Sequence, residues 1–182
     1  KKNNLFISVK SKVLEKNIPK YLRDKDNNWF GLSIRARTIV YNTKKVKPSE
    51  LSTYENLADS KWKKRLCLRT SKKVYNQSLV SMLINTLGEN KTKQIVKGWA
   101  QNAIEIFNSD TQVLKAIAAG QCDLGIVNSY YFGMLKVKDP ALPLKIFWPN
   151  QKSYGTHINI SGAGILKSTK NIVEATKFLE WL

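Results

Sequence analysis

The stretch that most constrains the fold of this chain is GQCDLGIVNSYYFG, which covers residues 120–133. Within it, residues 123–127 form a short, mainly apolar segment with β-branched residues at two positions. This pattern is typical of a strand covered on both faces. The polar pair at 128–129 can then begin a helix. Tyr130 and Tyr131 are therefore predicted in the first turn of that helix, at the carboxyl end of a strand, where open α/β sheets place their ligands.

Strand and helix patterns alternate along the rest of the chain. The other predicted strands are 34–41, 65–69, 104–107, 144–148 and 157–166, and the main predicted helices are 13–21, 75–87, 91–101, 110–119 and 171–182. This alternation predicts an α/β fold with a largely parallel sheet. We expect Asp110 to cap the helix that it begins, and residues 52–55 (STYE) to form a capping box for a short helix.

The composition fits a globular chain and leaves the role of its charge open. Hydrophobic residues make up 42% of the 182 residues, so the chain can bury a core. No run of about 18 apolar residues predicts a membrane span. The net charge of +18 is typical of proteins that bind nucleic acid, an anionic surface or an acidic ligand. The basic residues are scattered, however, and a solvated basic surface is the simpler interpretation.

The sequence contains no recognisable catalytic motif. Its one histidine, His157, starts a predicted strand among polar residues, where a structural hydrogen bond is expected. A nucleophile elbow (GxSxG), a zinc-protease motif (HExxH), a CxxC pair and a phosphate-binding loop do not occur. We therefore predict a binding protein and not an enzyme.

Three tyrosines occupy comparable places in the predicted fold. Tyr75 follows strand 65–69, while Tyr130 and Tyr131 follow strand 123–127, and each place is the start of a helix. Because the carboxyl ends of parallel strands meet at one edge of a sheet, the three phenols are expected in one cleft. Phenolate oxygen suits a hard cation, and three phenolates would balance the charge of Fe(III). Simple packing of these tyrosines is the alternative that the pattern leaves open.

Two arginines, Arg35 and Arg37, share one face of the predicted strand 34–41, where a buried guanidinium needs a negative partner. They are candidates to stabilise phenolates around a metal, or to hold a small anion. An anion-binding or small-molecule-binding protein that uses these arginines and Lys72–Lys73 is therefore one alternative. A nucleic-acid-binding basic domain is another, and it would show a steep salt dependence of binding.

Several longer motifs carry a resemblance to a known family. They are GLS at 31–33, RAR at 35–37, VYN at 40–42, ELSTYENLAD at 50–59, YNQSL at 75–79, AAGQCD at 118–123, YYFG at 130–133, PNQ at 149–151 and GTHINISGAG at 155–164. With these motifs, which together span most of the chain, it resembles a long internal piece of the periplasmic ferric-iron-binding proteins of ABC importers. It is most similar to the cyanobacterial, tyrosine-rich kind.

The resemblance implies an α/β fold of the periplasmic-binding-protein type II, a two-lobed "Venus flytrap". It assigns residues 1–42 to part of the N-terminal lobe and the first hinge strand, and 43–156 to the C-terminal lobe. Residues 157–182 would form the second hinge strand and a returning helix. Because the chain would be an internal fragment, we expect the remaining iron ligands of the family to lie before Lys1.

The resemblance also implies a function, which is the capture of Fe(III), or of Fe(II), between the lobes and its delivery to an ABC permease. Tyr75, Tyr130 and Tyr131 match the iron-ligating tyrosines of the family, and Arg35 matches an arginine near the metal. We accordingly expect a periplasmic monomer that meets the membrane only through the permease and binds no nucleic acid.

Two positions depart from the pattern of the family. Met134 stands where an arginine commonly follows the tyrosine pair, and residues 108–111 (NSDT) lack a second arginine. These departures leave the outer contacts of the site and any synergistic anion open, but they do not affect the match of the tyrosines. Cys67 and Cys122 are either buried free thiols or one disulfide. The oxidising periplasm that the resemblance implies allows a disulfide between them.

Overall fold

The computed structural model describes residues 5–182 and divides the chain into two compact units. One unit consists of Lys1–Ile34 and Asn159–Leu182, and the other of Arg35–Ile158. Residues 1–4 of the predicted segment 1–42 lie outside the described residues. The assignment of residues 1–42, 43–156 and 157–182 to lobes stays a prediction.

The smaller unit contains two short helices, α1 (Lys12–Asn17) and α6 (Ile172–Trp181). Ser11 caps α1 by accepting a hydrogen bond from the Leu14 backbone N–H, which satisfies one of the free donors of the first turn. The Ser11 hydroxyl also donates to Glu180 Oε1 over 2.6 Å, which links the two helices. Five buried side chains form the core of this unit: Val9, Leu14, Phe30, Ile165 and Leu179.

The larger unit has an α/β architecture. Its helices are α2 (Val74–Leu87), α3 (Glu89–Asn102), α4 (Asp110–Ala118) and α5 (Ser129–Lys138). The strands of the chain are β1 (Phe30–Asn42), β2 (Leu66–Arg69), β3 (Ala103–Phe107), β4 (Leu124–Asn128), β5 (Leu144–Phe147) and β6 (Ile158–Ala163). Strand β1 enters from the smaller unit, and β6 leaves the larger unit after its first residue. None of the helices between residues 5 and 182 is long and apolar enough to cross a membrane.

The sheet is mixed, so the prediction of a largely parallel sheet is wrong. Its strand order is β3-β2-β4-β1-β5, and β6 pairs with β1. Strand β2 is parallel to β3 and β4, whereas β1 is antiparallel to β4 and β5. A continuous apolar run indicates that a strand is covered on both faces, but it does not give the direction of its neighbour. The antiparallel register sets Arg37 opposite Asn128, at the carboxyl end of β4.

Both faces of the sheet in the larger unit are covered. All residues of β4 are buried, which agrees with the apolar pattern of this strand. On one face, Ile39 and Ile126 belong to the core that includes Leu79, Leu83 and Trp99 of α2 and α3. On the other face, Val40 and Val127 pack in a core that includes Val113, Leu114 and Ile117 of α4.

Two predicted caps are wrong in detail. Ser109, and not Asp110, caps α4, because the Ser109 hydroxyl accepts a hydrogen bond from the Gln112 backbone N–H. Asp110 is instead the first residue of the helix and is fully buried. The segment at 52–59 forms a 3-10 helix, Glu55–Ala58, whose N-cap Tyr54 makes no side-chain capping bond. The Tyr54 ring is buried in the core, and this packing replaces the predicted capping box.

A disulfide bond joins Cys67 of β2 to Cys122, which precedes β4. The two Cα atoms are 5.9 Å apart, a separation that a disulfide spans without moving the backbone. The bond closes a loop between residues 55 positions apart, and it ties two parallel neighbouring strands near their amino ends.

Replacing both cysteines, Cys67→Ala together with Cys122→Ala, is expected to lower the free energy of unfolding by about 2–4 kcal/mol, because the disulfide restricts the unfolded chain. Denaturant unfolding of the parent and the double variant measures this difference. The parent after reduction is the matched control and should unfold at the same denaturant concentration as the variant. Equal stability of the oxidised parent and the variant would contradict the prediction.

Candidate metal centre

The three tyrosines singled out from the sequence lie at one edge of the sheet. Tyr75 is the second residue of α2, which follows β2, and Tyr130 and Tyr131 lie in the first turn of α5, which follows β4. Because β2 and β4 are parallel neighbours, their carboxyl ends adjoin. The backbone topology thus brings the three side chains to the same place.

The phenol groups of these tyrosines are in contact. The Tyr130 side chain adjoins those of Tyr131 and Tyr75, and hydrogen bonding with both contributes to its raised pKa. The rings of Tyr130 and Tyr131 are tilted by 32°, with their centroids 4.2 Å apart. All three residues are partly exposed. The three tyrosine side chains are therefore grouped around Tyr130 at this edge of the sheet.

The environment of Tyr130 favours its neutral form. Burial raises the pKa of Tyr130 above its ordinary value, the hydrogen bonds with Tyr131 and Tyr75 raise it further, and the Asn128 side chain opposes the shift. In the metal-free protein the Tyr130 phenol is therefore held in its neutral form. A cation that binds here must displace protons, and a strongly charged hard ion is able to do so.

Arg37 has a negative partner from its own chain. Its side chain is 1% exposed, and Nη1 donates to both carboxylate oxygens of Asp110 over 2.9 and 2.8 Å. Nη2 donates to Asn76 Oδ1 over 2.6 Å. Burial lowers the pKa of Arg37 below its ordinary value, while the Asp110 carboxylate acts against that shift. The need of a buried arginine for a negative partner is thus met by Asp110.

Arg69, which the sequence reasoning missed, also faces Asp110. This last residue of β2 donates from Nη1 to Asp110 Oδ2 over 3.2 Å. Its guanidinium carbon lies 5.1 Å from the centre of the Tyr75 ring, within the range of a cation–π contact. The rule that placed the tyrosines could have found this pair, because Arg69 ends β2 and Asp110 begins the helix after β3, which is parallel to β2.

Arg35 and His157 are the other residues singled out from the sequence, and a role of Arg35 beside the metal stays a prediction. Arg35 is partly buried in β1, two residues before Arg37. His157 Nε2 lies 3.0 Å from Ser78 Oγ, and the His157 backbone N–H donates to the Tyr54 hydroxyl over 3.1 Å, which agrees with the predicted structural role. Burial, and then Arg37, lower the pKa of His157.

The donor set of the cluster suits a hard cation. Among residues 5–182, no group of three or more His, Cys, Asp or Glu side chains could hold a metal ion. The Asp110 carboxylate is bonded to residues beside the tyrosines. It is fully buried, however, and already accepts hydrogen bonds from two arginines. The phenol oxygens of Tyr75, Tyr130 and Tyr131 are therefore the candidate ligands, and hard oxygen donors of this kind fit Fe(III) better than a soft metal.

The chain belongs to the bacterial extracellular solute-binding protein family, whose profile matches residues 1–182. Among curated proteins it is 46% identical to iron uptake protein A1 of Synechocystis sp., over 99% of this chain and 52% of that protein. It is 42% identical to iron uptake protein A2 of the same organism, over 98% of this chain and 54% of that protein. The chain thus spans about half the length of these relatives.

Solved structures give the same result. A Trichodesmium protein (IdiA, FutA) in complex with iron and citrate matches with a TM-score of 0.87 and 42% identity, over 99% of this chain and 59% of that one. The Bordetella ferric binding protein matches with a TM-score of 0.90 and 30% identity, again over 99% of this chain and 59% of the other. These similarities confirm the resemblance inferred from the motifs and the predicted α/β fold of the periplasmic-binding type.

The raised pKa of Tyr130 predicts a loss of stability in alkali. A tyrosine whose folded-state pKa lies above the ordinary value of about 10 favours folding below that pH, and this contribution is lost as the pH rises through the folded pKa. Denaturant unfolding of the metal-free protein above pH 10 should therefore show a steeper loss of stability for the parent than for Tyr130→Phe. Parallel curves would contradict this reading of the cluster.

Proposed function

We propose that this protein is a ferric-iron-binding solute-binding protein whose ligands include the phenolates of Tyr75, Tyr130 and Tyr131. The observation that carries the proposal is the grouping of three partly exposed tyrosines around Tyr130 at the carboxyl edge of the sheet. Packing alone explains buried tyrosines, but it does not explain why three partly exposed tyrosines are grouped at the carboxyl ends of two parallel strands.

The chemistry of binding follows from the protonation state of the cluster. Each phenol that coordinates iron as a phenolate releases its proton. Three released protons leave three negative charges, which balance the 3+ charge of the ion. Iron affinity should consequently rise with pH as long as the ion stays in solution as a soluble complex. Fe(II) is a weaker Lewis acid, and we infer that it holds phenolates less tightly, which offers a route to release by reduction.

The names of the relatives support an iron-transport setting. Two curated relatives are called iron uptake proteins, and one solved relative was found in complex with iron and citrate. We infer that this protein acts in the periplasm as a monomer and delivers Fe(III) to the permease of an ABC importer. Binding and delivery, and not catalysis, would be its role.

An anion-binding function in the same fold is the second candidate. Arg37 and Arg69 carry two positive charges against the single carboxylate of Asp110, so one positive charge remains beside the tyrosines. A small carboxylate or phosphate could use that charge. Because Arg37 is buried and already bonded to Asp110 and Asn76, the arginines fit better as partners of the protein itself.

A ferric citrate titration of the full-length protein, followed by visible absorption, tests the proposal. We expect a phenolate-to-iron charge-transfer band that saturates at about one equivalent of iron. Tyr75→Phe, Tyr130→Phe and Tyr131→Phe should each weaken or shift the band and lower the affinity at least about tenfold, since each removes one ligand. Tyr21→Phe is the matched control, because Tyr21 is 80% exposed and lies in the smaller unit.

Two results would count against ferric binding at this site. A titration without colour would exclude iron–phenolate bonding and would favour the anion, whose binding changes no visible absorption. A coloured complex that all three variants retain unchanged would place the iron elsewhere in the protein. Binding of citrate alone, measured without iron, separates binding of the anion from binding of the metal.

A further inference from the structure

One buried carboxylate bonds to three strands, and two of these strands directly precede the helices that carry the candidate ligands. Asp110 is 0% exposed, and its Oδ2 accepts hydrogen bonds from Arg37 Nη1 over 2.8 Å and Arg69 Nη1 over 3.2 Å. The same oxygen accepts from the Asn128 backbone N–H over 3.3 Å. Asp110 therefore bonds to β1, to the last residue of β2 and to the last residue of β4 at once.

Tyr75 is tied to this carboxylate in two ways. Arg69 donates to Asp110 and places its guanidinium over the Tyr75 ring, 5.1 Å from the ring centre. Asn76, the next residue in α2, accepts from Arg37 Nη2 over 2.6 Å and donates from Nδ2 to the Arg69 carbonyl oxygen over 2.6 Å. The start of α2 is thus joined to the Asp110 network through the Tyr75 ring and through the Asn76 side chain.

Tyr130 and Tyr131 are tied to the same carboxylate through Asn128, the last residue of β4. The Asn128 backbone N–H donates to Asp110, and its Oδ1 accepts from Arg37 Nη1 over 3.2 Å. The two tyrosines lie within three residues of this anchored position. The segments that carry Tyr75 and the tyrosine pair are therefore both hydrogen-bonded to the network of Asp110 and Arg37.

We propose that Asp110 is a positioning residue of the tyrosine site, which sets the separation of the three phenols and hence the affinity for ferric iron. This inference rests on the proposed function. Asp110 itself does not touch the metal, because its oxygens are buried and bonded to arginine and backbone donors. A metal site depends on such outer contacts because coordination requires the ligands to be held at the correct distances.

A charged carboxylate is needed for this role. Two buried or nearly buried guanidinium groups face it, and the amide of an Asp110→Asn variant would leave both without a counter-charge. The variant also presents an N–H group to donors, so at least one of the present hydrogen bonds is lost. The anchors of α2 and α5 would then relax independently, and the phenols would separate.

The test compares the two ends of the sheet. Asp123 is the matched control, because it also bridges two cations, with 2.6 Å to Arg65 Nε and 3.4 Å to Lys45 Nζ, but it precedes β4 at the opposite end. Ferric citrate titrations of the full-length protein, of Asp110→Asn and of Asp123→Asn give the affinity and the energy of the charge-transfer band. Thermal unfolding of the same metal-free samples gives the stability.

We expect Asp110→Asn to lower the iron affinity about 10- to 100-fold and to shift the band, while Asp123→Asn lowers stability and leaves affinity and band unchanged. If Asp110→Asn does not fold, Arg69→Gln decides the question. It keeps the Arg37–Asp110 pair, removes one tie to Tyr75, and should also weaken binding and shift the band.

The outcomes separate the two proposals. A parent protein that gives no band overturns the proposed function and this inference with it. A parent with a normal band, together with an unchanged band and affinity in Asp110→Asn and in Arg69→Gln, overturns the inference alone. In that case any loss of thermal stability would show that Asp110 only holds the fold together.

Discussion

Arg37 enters the interior of the sheet with a positive charge, and much of the surrounding structure follows from the need to neutralise it. A buried guanidinium without a partner is costly, and Asp110, fully buried at the start of α4, supplies the opposite charge at hydrogen-bonding distance. Asn128 and Asn76 add to that pair, because their amide oxygens accept hydrogen bonds from Arg37 Nη1 and Nη2 respectively. The hydrogen bonds around this one buried charge therefore help to position the ends of three neighbouring segments.

The tyrosine cluster lies above this network and differs from it in character. The network is buried and its charges are paired, so it can act as a rigid base. Tyr75, Tyr130 and Tyr131 are partly exposed, and the Tyr130 side chain adjoins the other two. A site that accepts a cation and later releases it needs a rigid support for its ligands and ligand groups that can exchange protons. The buried network can supply the first, and the phenols can supply the second.

The disulfide and the hydrogen bonds of Asp110 connect β2 to β4 at opposite ends of these strands. Cys67 and Cys122 join β2 and β4 near their amino ends, while Asp110 joins the same two strands through Arg69 and Asn128 at their carboxyl ends. The two strands that precede the candidate ligands are thus bonded to each other at both ends. We attribute the defined positions of α2 and α5 to this double connection.

The sequence by itself determined the strand–helix alternation, the burial of β4 on both faces and the start of α5 at the tyrosine pair, because apolar periodicity and capping are local signals. It also placed Tyr75 correctly, since a helix after a parallel strand starts at a known edge. Only the tertiary structure decided that β1 is antiparallel, that Ser109 rather than Asp110 caps α4, and that Arg37 and Arg69 share Asp110. Strand direction and the pairing of charges 41 or 73 residues apart depend on contacts that no local pattern contains.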